Sequence, residues 1–251
     1  MTAGAPHLPP GYRLARYGAI DSTNEEAKRL ARAGAADRTI VWALQQSAGR
    51  GRRGRPWHSP PGNLYASLIL RPEAPPERAA QLGFVAALAV GGAFDALLPG
   101  LAGLSYKWPN DVLLGGRKLC GILLESEMGE GLAFLVVGIG VNLAAAPPET
   151  EFPATSLFAE NLPAIAPEVM LTALVGTFED WMRRWEENGF APVRAAWRAR
   201  AAALGQPIRV RLDRITLCGR LVDLDEDGAL LLEQAGQCRR IAAGEVFPAG
   251  S

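Results

Sequence analysis

The sequence predicts a mixed α/β (α+β) fold: a mixed sheet with flanking helices, followed by a small C-terminal β-barrel. Three observations lead there. β-branched apolar runs alternate with amphipathic helical stretches as far as about residue 204. From Gly205 the helical periodicity stops, and about 45 residues read as short strands parted by D-E-D-G and A-G-Q turns. At 251 residues and 49% apolar, the chain is long enough for one large domain plus a small one. The predicted domains are 1–204 and 205–251.

The N-terminal "MTAGAPHLPPGYRLARYG" lacks the basic-then-apolar build of a signal peptide, and its prolines predict a flexible lead-in. In "DSTNEEAKRLARAG", Ser22 or Thr23 stands three residues before an acid, Glu25 or Glu26, and Gly34 closes the segment. That pattern is a capping box opening a short helix with a terminal glycine. "TIVWALQQ" and "NLYASLIL" (63–70) read as strands, and "PERAAQLGFVAALAVGGAFDALL" as one long helix, buried rather than membrane-spanning because it contains an acid. "LSYKW", "DVLLG", "KLCGILLESEM" and "LAFLVVGIGVN" follow as strands, with "GGR" and "GEG" as tight turns. A Pro-rich loop (144–153) leads to helices near 167–187 and 191–203. "QPIRVRL", "TLCGRLVDLD", "ALLLEQAG" and "CRRIAAGEVF" supply the last strands.

Composition narrows the chemistry. Lys+Arg and Asp+Glu both total 26, whereas a chain that grips a long polyanion carries a basic excess. The three cysteines, Cys120, Cys218 and Cys238, have no C-x-x-C spacing, so a reducing, cytoplasmic setting is expected without a disulfide framework or structural zinc. With only His7 and His58, a histidine metal site is not expected.

The stretch "QQSAGRGRRGRPWHSP" (45–60) formally matches the G-x-G-x-x-G dinucleotide fingerprint. That fingerprint needs a helix directly after its glycines, to point amides at a pyrophosphate. Pro56, Pro60, Pro61 and Gly62 follow instead, then a strand. The segment is therefore a strand-to-strand loop. Its glycines admit an anion close to the backbone and its arginines offer bidentate donors, though a solvated basic loop would read alike. Like charges this dense predict mobility until an anion binds.

In "KWPNDVLLGGRKLCGILLES" (107–126), Lys107, Asn110, Asp111 and Lys118 surround a Pro-Asn-Asp turn and the hairpin after it. Together with "DSTN" and "QSAGRGRRGRPW" this resembles the biotin protein ligases, and the likeness continues through "VGIGVN", "ATSL" (154–157) and "GALLLEQAG…IAAGEV". It covers nearly the whole chain from about residue 17. The resemblance implies a class II aminoacyl-tRNA-synthetase-like core and a Src-homology-3-like barrel. It also implies a two-step reaction: biotin and ATP give biotinyl-5′-AMP and pyrophosphate, and the acyl group passes to one lysine of a biotin carboxyl carrier protein. Mg²⁺ would be bound through the nucleotide phosphates, with no metal site on the protein.

Carried onto this sequence, the likeness makes Lys118, Arg52, Asp111 and Lys107 the catalytic candidates. Arg52 and Lys118 would lie nearest the biotin carboxylate and α-phosphate, where charge must be neutralised. Asp111 would orient the incoming lysine and accept its proton, although Asn110 and Asp111 could equally just close their turn. Biotin would be held by Ser22, Thr23, Asn24, Gln46, Gly49, Arg50, Gly51, Arg52, Lys118 and Gly121, although Ser22 and Thr23 could serve only as caps. ATP would be held by Arg50, Arg52, Arg53, Arg55, Trp57, Lys107, Asn110, Lys118 and Asn142, with Trp57 against the adenine face. Gly121 and Gly138 would let strands approach the ligand.

Cys120, where relatives often carry Ala or Gly, reads as a buried apolar residue. Only about 20 residues precede "DSTN", which leaves no room for the helix-turn-helix of repressor-type members. A monofunctional enzyme is therefore expected, with no specific DNA or membrane partner and with homodimerisation open. The rival readings are a lipoate–protein ligase or octanoyltransferase, and a non-enzymatic nucleic-acid-binding module.

Overall fold

A computed structural model describes residues 5–129 and 132–249. The chain runs through β1 (Arg13–Ile20), α1 (Thr23–Arg32), β2 (Thr39–Gln46), β3 (Leu64–Leu70), α2 (Pro76–Ala79), α3 (Leu82–Leu97), β4 (Leu104–Lys107), β5 (Asp111–Leu114), β6 (Arg117–Met128), β7 (Leu132–Val141), α4 (Pro167–Asn188) and α5 (Phe190–Ala199). β8 (Pro207–Arg211), β9 (Thr216–Leu224), β10 (Leu230–Gln234), β11 (Gln237–Ile241) and β12 (Glu245–Pro248) complete it. Among these residues no helix is long and apolar enough to cross a membrane.

The first seven strands form one mixed sheet in the order β1-β2-β3-β7-β6-β5-β4. Its central strand β3 is buried along its whole length, which explains why its sequence is apolar almost throughout. One face, carrying Ile40, Trp42, Leu68, Val137 and Ile139, packs in the main core with Leu82, Val90 and Phe94 of α3 and Leu174 and Phe178 of α4. On the other face Val41, Ile69, Phe134 and Val136 meet Ala27 and Ala31 of α1. α1 covers only part of that face. What it leaves open becomes the site.

The structure corrects several expectations. Residues 13–18, predicted as part of a flexible lead-in, belong to the edge strand β1, parallel to β2; their charged and small side chains gave too weak an alternation to reveal it. Ser22 has the extended backbone of an N-cap, but its hydroxyl makes no capping bond. Instead Thr23 N donates to Gln46 Oε1 of β2 at 2.7 Å, so a tertiary partner replaces the local box. The long helix predicted from Pro76 breaks at Ala80–Gln81, where buried Gln81 accepts from Trp185 Nε1 at 2.9 Å. The helix predicted over 191–203 stops at Ala199. α4 opens with Pro167 and closes at Gly189, whose φ of 70° lets the chain turn into α5. The "GEG" turn lies partly outside the described residues.

The last five strands form an antiparallel sheet in the order β11-β10-β9-β8-β12. "CRRIAAGEVF" is not one strand: it divides at 242–244 into β11 and β12, on opposite edges of this sheet. Ile208, Val210, Leu221, Leu230, Leu232 and Val246 join the main core, and Trp108 Nε1 donates to Gly228 O at 3.0 Å. β12 is thereby held against the mouth of the site.

Candidate active site

The strand register places one row of residues across the open face. Ala43 lies opposite Tyr65, Tyr65 opposite Gly140, Gly140 opposite Gly121, Gly121 opposite Asp111, and Asp111 opposite Lys107. The glycine pair makes a flat floor, and the charged pair closes one end. Lys118 reaches the same face only through an irregularity. Its spacing of three from Gly121 would put the two on opposite faces of a regular strand. A bulge between the Val112–Cys120 and Leu113–Lys118 pairs returns Lys118 to the floor side.

Asp111, 6% exposed, therefore sits between two ammonium groups: Lys107 Nζ lies 2.8 Å from Oδ2 and Lys118 Nζ 2.6 Å from Oδ1. Burial works against the Asp111 carboxylate, but the two lysines outweigh it and hold its pKa below the usual aspartate range. Burial also pushes the Lys107 ammonium down, against the pull of Asp111. Three charges with a net excess of one cation thus stand at the end of the row, Lys107 and Asp111 buried and Lys118 partly open to the cavity.

Above this floor stands the arginine loop, and each arginine has a partner. Arg50 pairs with Glu25 in the first turn of α1. Arg52 donates to Gly244 O at 3.1 Å and to Asn110 Oδ1 at 3.5 Å. Arg55 pairs with Glu245 of β12, a carboxylate that Arg211 also holds at 2.5 Å. These partners offset the mutual repulsion that predicted a mobile loop. Arg53 is the exception among the nucleotide candidates: its backbone is left-handed, with φ 56°, and its guanidinium pairs with Asp213 at 2.7 Å instead of lining the cavity.

Trp57 leaves the loop and lies over the floor. A Cβ added at Gly121 would stand 2.8 Å from its ring, and one at Gly140 2.6 Å, so glycine is needed at both. Lys118 Nζ lies 5.3 Å from the Trp57 ring centroid. Behind the indole runs a polar relay. Thr23 Oγ1 donates to Gln46 Oε1 (3.1 Å), Gln46 Nε2 to Ser59 Oγ (2.9 Å), and Ser59 Oγ to Trp57 O (2.9 Å). Buried Ser67 donates to Asn24 Oδ1 at 2.6 Å, and Asn24 Nδ2 donates to Glu125 Oε2 at 2.8 Å. The amide of Asn24 occupies the space beside Gly138. Gly138 and Gly121 line the cavity and also make room for the protein's own Asn24 and Trp57 side chains. Gly138→Ala is expected to expel Asn24, break the Ser67 bond and raise the KM for the ligand on this side by about tenfold, at a cost of about 1–3 kcal/mol; steady-state kinetics with urea unfolding checks both.

Of these groups the Lys107–Asp111–Lys118 triad, Arg50, Arg52, Arg55, Trp57, Thr23, Asn24, Gln46 and Ser59 line one cavity of about 650 Å³. Among the described residues no cluster of three His, Cys, Asp or Glu could hold a metal ion. Residues 18–142 match the Biotin/lipoate A/B protein ligase family, and residues 203–247 the Biotin protein ligase C terminal domain. The Biotin--[acetyl-CoA-carboxylase] ligase of Paracoccus denitrificans is 45% identical over 92% of this chain and 98% of its own length. The chain belongs to the biotin protein ligases. A solved ligase from Aquifex aeolicus in complex with biotin and ATP matches with TM-score 0.79 and 28% identity, over 94% of this chain and 97% of that one. The Leishmania major ligase in complex with biotinyl-5-AMP matches with TM-score 0.67 and 27% identity, over 94% and 100%.

Of the residues singled out in this ligase by sequence, Ser22, Thr23, Asn24, Gln46, Gly49, Arg50, Gly51, Arg52, Arg55, Trp57, Lys107, Asn110, Asp111, Lys118, Gly121 and Asn142 line the cavity; Arg53 does not. Asn110 binds the β6 backbone, its side chain donating to Ile122 O and its main-chain carbonyl accepting from Ile122 N, whereas the Asp111 carboxylate pairs with Lys107 across the turn and with Lys118. Cys120 is fully buried, which pushes its thiol pKa up. Glu245, Phe247 and Phe152 also line the cavity and were missed, because nothing local to them speaks of a ligand. Phe152 lies under Lys107 Nζ at 4.2 Å from the ring centroid. Gly140 was legible in principle, as the second glycine of "VGIGVN".

Proposed function

We propose that this ligase activates biotin with ATP as biotinyl-5′-AMP and passes the acyl group to one lysine of a biotin carboxyl carrier protein. The observation that carries the reading is one cavity in which the Lys107–Asp111–Lys118 triad, the Trp57 ring and three loop arginines surround a glycine floor. In the first step a biotin carboxylate oxygen bonds to the α-phosphorus and pyrophosphate leaves. Two anions must be brought together, and Lys118 and Arg52 are the cations placed to neutralise them. In the second step the carrier's amine bonds to the acyl carbon, the acyl carbon–oxygen bond breaks with AMP leaving with the electron pair, and Asp111 orients the amine, whose proton passes by way of that carboxylate to solvent.

Ser22, Thr23 and Gln46 offer donors and acceptors to the neutral ureido ring, and the Ser22 hydroxyl is not consumed in capping. Trp57 supplies an aromatic face for adenine. The buried Oδ1 of Asn142 has no hydrogen-bond partner among the described residues, which suits it to accept from the exocyclic amine. Mg²⁺ belongs to the ATP substrate, since the buried carboxylates of the cavity, Asp111 and Glu245, are already held by cations. We assign these roles to residues 1–204 and the closing of the mouth to 205–251. Exposed free thiols at Cys218 and Cys238 suit a cytoplasmic setting.

Incubation with biotin and Mg-ATP, followed by mass spectrometry, should reveal bound biotinyl-5′-AMP with pyrophosphate released. Absence of the adenylate, or faster turnover of lipoate than of biotin, overturns the assignment. Arg52→Ala is expected to keep the fold and to release the adenylate early, raising its off-rate about tenfold or more for one charged hydrogen bond lost; a filter-binding chase measures it.

A further inference from the structure

The ligase makes an amine-reactive mixed anhydride beside its own lysines. Only three lysines occur in the chain, Lys28, Lys107 and Lys118, against 23 arginines. Guanidinium groups stay protonated and do not attack acyl groups, whereas a neutral lysine amine does. Each lysine also faces carboxylate. Lys28 Nζ lies 2.5 Å from Glu25 and 2.9 Å from Glu125. Lys107 and Lys118 share Asp111 inside the cavity.

We propose that Asp111 is a guard: its carboxylate ion-pairs both Lys107 and Lys118, at 2.8 and 2.6 Å, so neither Nζ is free to capture the acyl group of the adenylate formed beside it, and transfer is left to the carrier's lysine. The reaction prevented is attack of a neutral Nζ on the acyl carbon, with the acyl carbon–oxygen bond breaking, AMP leaving with the electron pair, and the amine proton passing to solvent. Around Lys107 the influences are opposed: burial, the Lys118 charge and the Arg55 charge push its ammonium down, whereas Asp111 holds it up and the face of the Phe152 ring, 4.2 Å from Nζ, also favours the cation. Asp111 acts through the lysines and is, for this purpose, a positioning residue.

This inference rests on the adenylate chemistry proposed above, but its test does not need the protein to make the adenylate. Presynthesised biotinyl-5′-AMP is supplied to the full chain, and biotin on Lys28, Lys107 and Lys118 is quantified by peptide mass spectrometry. An Arg214→Lys chain, altered at an exposed position, carries a reporter lysine that gives the rate at an open amine. In the unaltered chain the three native lysines, each held in an ion pair with a carboxylate, are expected to react more slowly than the open reporter does. In Asp111→Asn, acylation of Lys107 or Lys118 should rise about tenfold or more, while Lys28, which keeps both carboxylates, does not change.

Three results would overturn the guard. One is no rise at either cavity lysine in Asp111→Asn. A second is an equal rise at all three, which assigns protection to the fold instead of the carboxylate. The third is acylation of Lys107 or Lys118 in the unaltered chain as fast as at the reporter. Failure of the chain to form adenylate from biotin and ATP would sink the ligase reading alone.

Discussion

Lys118→Ala is expected to lower the rate of biotinyl-5′-AMP formation by about 10²–10³-fold, the usual cost of removing one preorganised charge from a developing anion. The ammonium sits 2.6 Å from Asp111 and beside the Trp57 ring, so its place is set before substrate arrives. Its loss also leaves Asp111 with one cation, at a position too buried for water to replace the other. Lys118→Arg retains the charge but not the compact reach of an ammonium, and should recover only part of the rate. Pyrophosphate release under single-turnover conditions measures both; a rate in Lys118→Ala within about threefold of the unaltered chain, about 0.7 kcal/mol, removes the residue from its role.

The second large effect is on stability. Asn63→Ala should destabilise the fold by about 3–5 kcal/mol and lower Tm by about 10 °C. Asn63 is almost wholly buried, and its Oδ1 accepts from the backbone N–H groups of Leu143, Ala144 and Ala145 at 2.9, 2.8 and 3.1 Å. Its Nδ2 donates to Ala145 O at 2.8 Å. One side chain therefore satisfies four backbone groups just after β7 and fixes the exit of Asn142 from the cavity wall. Truncation strands the N–H of buried Leu143 and leaves the loop after β7 without its tie to β3. Calorimetry of the two chains decides it, and an unchanged Tm would mean that water takes over the four bonds.

Much of the fold was legible because period and punctuation agree locally. β2 ran between the bounds expected from "TIVWALQQ", and α4 opened at residue 167, where a helix was expected. Misses came where a distant partner overrode a local signal. The capping box gave way to Gln46, twenty-three residues away. The single long helix broke where Gln81 meets Trp185, and the last predicted strand split because its halves pair on opposite edges of one sheet.

By itself the sequence determined the inventory of the site: a glycine-spaced arginine loop, a tryptophan at its exit, and lysines and an aspartate around one hairpin, in an order specific enough to name a family. Tertiary structure alone decided how these meet. Spacing puts Lys118 and Gly121 on opposite faces, and only the bulge between β5 and β6 brings the ammonium onto the floor side beside Asp111. Arg53 and Arg55 look alike in the string, yet only Arg55 lines the cavity; Arg53 pairs with Asp213 at 2.7 Å and lies 3.8 Å from Glu245. The physical reason is one of range. Residue chemistry and periodicity are local, whereas register, bulges and ion-pair partners are set by ladders and carboxylates that lie far away along the chain.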